Sequence, residues 1–266
     1  MSLNVLRSLA MAEGGGFETP TIADFYQPLW NDGPLAVTRA AVVLLLSVGL
    51  ITWWLILTTK RAAIVPSKGQ WITEGIYGFI RNGVAREIIG SKDFLRFVPL
   101  LFSMFVLILV NNLFGVIPPV QYPTMSRIGI PIALTLFVYV TYHYVGIKRV
   151  GFLAYFRNLA PSGMAKWIVG PIILLEIITF FFTRPLTLAM RLFGNMFAGH
   201  ILLLLFITGG EYMLVHGGFA IKLAGLGAYV MAFLMTIFEM LIEFVQAYVF
   251  TLLAATYIAG SVADEH

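Results

Sequence analysis

Five uninterrupted apolar runs, at residues 38–59, 95–117, 128–147, 167–208 and 219–260, constrain this chain more than any other feature. Each is at least as long as the ~20 residues an α-helix needs to cross a ~30 Å hydrocarbon core. Their apolar residues are continuous, whereas the strands of a membrane barrel alternate, so the expected class is an all-α integral membrane protein with about five membrane helices. Composition agrees: 59% of the 266 residues are hydrophobic and 11% charged, against roughly 25% charged in a water-soluble domain.

The placement of charge predicts topology. Of the 17 basic residues, Lys60, Arg61, Lys68, Arg81, Arg86, Lys92 and Arg96 fall between the first two runs, and Lys148, Arg149, Arg157 and Lys166 follow the third. Two spans separate these connections, so both lie on one side, and the excess of Lys and Arg makes that side the cytoplasm. The N-terminal stretch, with Glu13, Glu18, Asp24 and Asp32, is then expected outside and the C-terminus inside. Residues 1–37 read as an extracytoplasmic segment and 38–266 as a single membrane domain. The first 35 residues lack the basic and apolar regions of a signal peptide, so the first span is expected to be retained. With no cysteine there is neither a disulfide frame nor a thiolate metal site.

Between the runs, Gly14-Gly15-Gly16 reads as a linker, since no strand precedes it and no Gly-Lys-Ser/Thr follows. Residues 68–90 mix Trp71, Ile72, Ile76, Phe79, Ile80 and Val84 with Glu74, Arg81, Arg86 and Glu87, which predicts an amphipathic helix lying on the membrane as a satellite of the bundle. Trp53 and Trp54 beside Lys60-Arg61 form an aromatic and basic anchor at the membrane boundary. Prolines in Ile117-Pro118-Pro119-Val120-Gln121-Tyr122-Pro123 predict a tight external turn. Asn111 and Asn112 are expected to hydrogen-bond between helices. His143, flanked by Tyr142 and Tyr144, reads as an interfacial residue.

The last two runs are each about 42 residues, roughly 63 Å of straight helix, or twice the core thickness. Either each crosses twice, with breaks near Pro185 and Glu239, or each is one strongly tilted helix. Within them lie Glu176, Arg184, Arg191, His200, Glu239 and Glu243. A central ionisable residue costs roughly 2.5–3.5 kcal/mol to insert, so these side chains must face one another or water, and they are functional candidates for that reason. Arg184, next to Pro185, reads more readily as a structural pair.

Helical spacing sorts them. Arg184, Arg191 and Asn195 share one face of the fourth run; Glu239, Glu243 and Gln246, at i, i+4 and i+7, share one face of the fifth. Nine residues from Arg191, His200 belongs to the approach to this site and not to the arginine's own stripe. One stripe offers a guanidinium that keeps its proton, the other carboxyls that can lose theirs. Glu and His can pass protons on while Arg acts as a fixed barrier, and this asymmetry fits a proton pathway. Catalytic parts are missing: no aspartate lies in a span, and there is no His-Glu-x-x-His helix, Walker loop or nucleophile elbow. The chain is expected to perform no covalent chemistry by itself and to need no cofactor, metal or nucleic acid.

The segment Arg184-Pro185-Leu186-Thr187-Leu188-Ala189-Met190-Arg191-Leu192-Phe193-Gly194-Asn195-Met196-Phe197-Ala198-Gly199-His200 closely resembles the signature of the subunit a family of F-type ATP synthases. Asn111-Asn112-Leu113-Phe114-Gly115-Val116-Ile117-Pro118 and Gln246-Ala247-Tyr248-Val249-Phe250 resemble two further elements of that family, and the likeness spans roughly 38–260. It implies that the last two runs form a long tilted hairpin against a ring of rotor c subunits, with peripheral stalk b subunits and the rest of the synthase as further partners. Arg191 matches the essential arginine between two offset half-channels, and Gln246 the glutamine facing it. His200 and Glu239 match the ionisable pair of the entry half-channel, exchanged relative to relatives that carry Glu first and His second. Asn195 fits the lining of the same path. Glu243 is placed there by its spacing from Glu239, and Glu176 on the exit side. A bacterial plasma membrane is the expected location. The rival readings are a proton-coupled secondary transporter, which predicts an internal repeat that the sequence does not display, and a scaffold subunit of a respiratory complex whose charges merely pair.

Overall fold

The computed structural model describes residues 28–30, 37–60, 62–117, 122–157 and 166–262. The N-terminal glycines, Arg61 and the centre of the proline-rich turn, Pro118 to Gln121, lie outside the described residues. Among the described residues five helices are long and apolar enough to cross a membrane. The chain is an all-α, multi-pass membrane protein, apart from a short antiparallel pairing of β1 (Pro28–Trp30) with β2 (Val37–Thr38) that hydropathy gave no reason to expect.

Helix α1 (Arg39–Thr59) starts where the Thr38 hydroxyl accepts a hydrogen bond from the Ala41 N–H at 3.4 Å. The amphipathic segment comprises α2 (Lys68–Gly78), capped by Ser67, a π-helical stretch (Phe79–Arg86) and the short α3 (Glu87–Ile89). It is more than a satellite. Ile80, Val84 and Ala85 are fully buried in the main core, and the Phe79 ring meets those of Phe105 and Tyr248. The mixed pattern therefore reports one face packed on protein, where a membrane-surface helix would bury that face in lipid. It is tied to α1 through Thr73 Oγ1, which accepts from the indole N–H of Trp54 at 3.1 Å and donates to Thr58 Oγ1 at 3.2 Å.

Then follow α4 (Val98–Val116), α5 (Gly129–Val150) and the short α6 (Phe152–Arg157). The fourth apolar run forms α7 (Lys166–Ile178), a π-helical turn (Thr179–Thr183) and α8 (Arg184–His216). Sequence left open a break at Pro185, and the chain does not break there. Proline cannot donate to the turn before it and its ring crowds the preceding carbonyls. The π-turn absorbs that misfit: the Arg184 N–H reaches back five residues to the Thr179 carbonyl. Tyr142 on α5 donates to the Phe180 carbonyl at 3.4 Å within this turn. From Gly170 to His216 the helix runs 47 residues, beyond the 208 boundary expected from hydropathy.

After only Gly217-Gly218, α9 (Phe219–Val262) returns as one unbroken helix of 44 residues. At 1.5 Å per residue it is about 66 Å long, so it cannot stand upright in a ~30 Å core. The two long elements make a hairpin that lies across the membrane at a steep tilt.

Apolar burial alone does not drive helices together in lipid, where packing and interhelical hydrogen bonds take over. Small residues let α9 approach α4 and its neighbours closely: Ala247, Ala254 and Ala255 are fully buried, interleaved with Phe250 and Ile258 against Leu101, Phe105 and Ile108. Asn111 Nδ2 donates to Ser47 Oγ at 2.8 Å, tying α4 to α1, and Asn111 Oδ1 accepts from Thr124 Oγ1 at 3.0 Å. Asn112 Nδ2 donates to the Glu243 carbonyl at 3.2 Å, tying α4 to α9. Both amides do what their position in the apolar run predicted. His143 does not. It is buried, stacked on Phe181 and enclosed by Tyr139, Tyr142 and Phe180, with Nδ1 at 2.9 Å from the Tyr155 hydroxyl. The following short α6 folds back and covers what hydropathy placed at the membrane boundary.

Candidate proton pathway

The hairpin brings five of the seven candidate side chains together, four of them (His200, Glu239, Glu243 and Gln246) buried on its inner side and the exposed Asn195 at their edge. Gln246, Glu243 and Glu239 occupy consecutive turns of α9 and are 4%, 2% and 5% exposed. Their spacing, i, i+4 and i+7 in sequence, keeps them on one face. That face turns toward α8 and α4, away from lipid.

From α8, two side chains meet this row. His200 Nδ1 lies 3.4 Å from Glu239 Oε1, with both residues buried. One turn and a half nearer the start of α8, Asn195 Nδ2 donates to Gln246 Oε1 at 2.8 Å. Glycines make room for the carboxyls. A Cβ on Gly199 would stand 3.0 Å from Glu239 Oε1, and one on Gly115 would stand 3.3 Å from Glu243 Oε1 and 2.8 Å from Met196 Cε. Each carboxyl is thus seated where a neighbouring helix has no side chain. These two glycines were not singled out from sequence, although both lie inside the motifs quoted for other residues; a glycine facing an ionisable residue across a helix pair was the available signal.

Two cavities flank the pair. One of about 120 Å³ is lined by Gly115, Val116, His200, Leu203, Ile207 and Thr236, among others, and so opens from His200 toward the hairpin's turn. A second, of about 10 Å³, sits among Asn112, Asn195, Glu239, Glu243 and Gln246. It has room for about one water.

Arg191 stands apart. It is exposed on α8, beside the fully buried Leu192 and one turn from Asn195, and it makes no hydrogen bond or ion pair with any described residue. His200, half a turn round the helix, points the opposite way into the protein, as the nine-residue spacing predicted. Glu176 is also outside the inner cluster. Its Oε1 is 3.7 Å from an Arg184 Nη, and that guanidinium lies over the rings of Phe180 at 4.7 Å and Tyr257 at 5.6 Å. Arg184, beside Pro185, thus has an acid and two aromatic rings as neighbours, the pairing its position allowed for.

Long helices of membrane-crossing length, an inner row of buried carboxyl, imidazole and amide side chains and an exposed arginine with no hydrogen bond or ion pair to any described residue define a polytopic protein built around ionisable groups at membrane depth. Residues 41–259 match the family model described as ATP synthase A chain. The protein named ATP synthase subunit a in Nocardioides sp. is 42% identical, the match covering 96% of each chain. Its namesake in Pseudarthrobacter chlorophenolicus is 40% identical over 97% of this chain and 98% of its own. That of Streptomyces lividans is 40% identical over 96% and 91%. The chain belongs to the ATP synthase A chain family.

Proposed function

We propose that this chain is the proton-translocating stator subunit of an F-type ATP synthase in a bacterial plasma membrane. The observation that carries the reading is the division of the hairpin: ionisable groups line its buried face, and an arginine with no partner among the described residues stands on its exposed face. A neighbour presenting a carboxylate to that exposed face would meet Arg191 first. The rotor c-subunit ring is that neighbour in this reading, and b subunits of the peripheral stalk hold the chain against it.

Protons enter through the cavity beside His200, pass the His200–Glu239 pair and travel by way of Glu243 and the Asn195–Gln246 pair to the rotor carboxylate. Arg191 draws that carboxylate in its ionised form and, being unable to give up its own charge, bars a direct leak to the other half-channel. Glu176 belongs to the exit side, with Arg184 as its counter-ion. Each charge moved through the membrane potential makes available about 2.3 kcal/mol per 100 mV, and this work turns the rotor only when no continuous proton wire short-circuits it. In the same reading residues 1–37 lie outside, residues 38–266 form one membrane domain with the C-terminus in the cytoplasm, and the chain makes no covalent chemistry of its own.

Arg191→Ala in membranes carrying the assembled synthase is the direct test. Proton-driven ATP synthesis is expected to be lost. Retention of coupled synthesis would sink the assignment.

A further inference from the structure

We propose that Glu243 is a proton-holding stop between the His200–Glu239 pair and the Asn195–Gln246 pair, and that it carries its proton at rest. The inference rests on the proton-pathway reading and adds to it the resting state and order of one residue.

The argument is a count of hydrogen-bonding groups around the 10 Å³ cavity. Both carboxyl oxygens of Glu243 are enclosed without a hydrogen-bond partner, as are Oδ1 of Asn112 and Oε2 of Glu239, whose side chains line the same space. These four acceptor oxygens thus stand without a donor, and the one unpartnered donor nitrogen among the described side chains there is Nε2 of Gln246. Asn112 Nδ2 donates to the Glu243 carbonyl and Asn195 Nδ2 to Gln246 Oε1, and neither amide nitrogen reaches any of the four oxygens.

An ionised carboxylate only accepts hydrogen bonds, and leaving it buried among further acceptors is among the costliest arrangements a fold can hold. A proton on Glu243 changes the count in the right direction. The carboxyl then donates, with Asn112 Oδ1 and Glu239 Oε2 among the acceptors lining the cavity. Gly115 leaves the space the carboxyl occupies, since a Cβ there would crowd Oε1 at 3.3 Å.

Transport then takes two balanced steps. Glu243 releases its proton toward the outer face of the hairpin, where the O–H bond reforms on a carboxylate presented near Arg191. The O–H bond of protonated Glu239 next breaks as one forms on Glu243, directly or through one water, and the negative charge moves the opposite way. No electron transfer is involved. The other titratable groups facing this path among the described residues are His200 on α8 and Glu239 on α9, and α4 contributes the neutral Asn112.

The test uses the complete synthase carrying Glu243→Gln, purified and reconstituted into vesicles. Glutamine matches the shape and the donor of a neutral carboxyl, so assembly and yield are expected to equal the wild type. It cannot release a proton, so proton-driven synthesis is expected to fall about tenfold or more, with a changed pH profile and partial recovery in Glu243→Asp. The infrared spectrum of the wild type should contain one protonated-carboxyl C=O band that is missing from the variant. Loss of the assembled complex in Glu243→Gln would overturn the inference, because it would mean an ionised, structurally paired side chain. So would an unchanged rate and pH profile, or an unchanged infrared spectrum. Arg191→Ala separates the two levels of reading: if it stays coupled the pathway itself is wrong, whereas an inactive Arg191→Ala beside a normal Glu243→Gln removes only the role of Glu243.

Discussion

Arg184 and Arg191 are seven residues apart on the same face of α8, yet the fold treats them oppositely. Arg184 has an acid at 3.7 Å and two aromatic rings beneath its guanidinium. Arg191 is exposed with no partner among the described residues. Placing an arginine in a membrane helix costs roughly 2.5–3.5 kcal/mol, a cost the first offsets within its own chain and the second does not. In the proposed reading a neighbouring subunit supplies the charge that Arg191 lacks within its own chain, and the functional weight is placed there.

The sharpest way to break the contrast is to neutralise the unpartnered member. Arg191→Ala is expected to reduce coupled synthesis by about 100-fold or more, the scale on which preorganised charges act, measured as ATP formed by inverted vesicles under an imposed proton gradient. Arg191→Lys should recover little, since lysine lacks the planar fork and can lose its proton when desolvated. Normal coupling with lysine would reduce the arginine's role to that of a simple positive charge.

On the buried side, the His200–Glu239 contact at 3.4 Å predicts exchangeability. Glu239→Gln or His200→Leu should each slow proton-driven synthesis by about tenfold to a hundredfold. The double exchange His200→Glu with Glu239→His should recover most of the rate, because the pathway needs one group of each kind across the same gap. Equal loss in the single and double variants would mean that the pair is fixed by packing instead of by its shared proton.

Interhelical amides come next in size. Removing the Asn111 side chain leaves Ser47 and Thr124 short of a partner. Buried polar contacts between membrane helices couple by about 0.6 kcal/mol on average and rarely above 1.7. Asn111→Ala should therefore destabilise the α1–α4 contact by roughly 1 kcal/mol, read as earlier loss of the subunit from the complex on heating in detergent, with transport per assembled complex unchanged.

Much of this arrangement was legible in sequence because the membrane imposes simple rules. Length and hydropathy located all five spans, and helical periodicity put Glu239, Glu243 and Gln246 on one face and His200 opposite Arg191, since both follow from 100° per residue. What periodicity cannot reveal is which neighbour a face meets. The burial of Ile80 and Val84 in the main core, the enclosure of His143 by α5, α6 and the π-turn, and the seating of two carboxyls on Gly115 and Gly199 all depend on contacts between distant segments. The uninterrupted run past Pro185 escaped hydropathy for a different reason. A π-turn changes which carbonyl a backbone N–H uses without changing composition.

The smallest effect is expected at Arg184, and it closes the comparison. Its ion pair with Glu176 is partly solvated, with 31% and 40% of the two side chains exposed. Pairs of that kind contribute about 1 kcal/mol or less. Arg184→Gln keeps a polar group beside Glu176 and part of the contact with Phe180 and Tyr257, so synthesis should stay within about fivefold of the wild type. The variant should also leave the π-turn intact, because the hydrogen bond from Arg184 to Thr179 that defines it belongs to the backbone. A loss at Arg184 as large as that at Arg191 would show that the ion pair takes part in moving protons on the exit side, and position beside an internal acid would then no longer distinguish a structural arginine from a functional one.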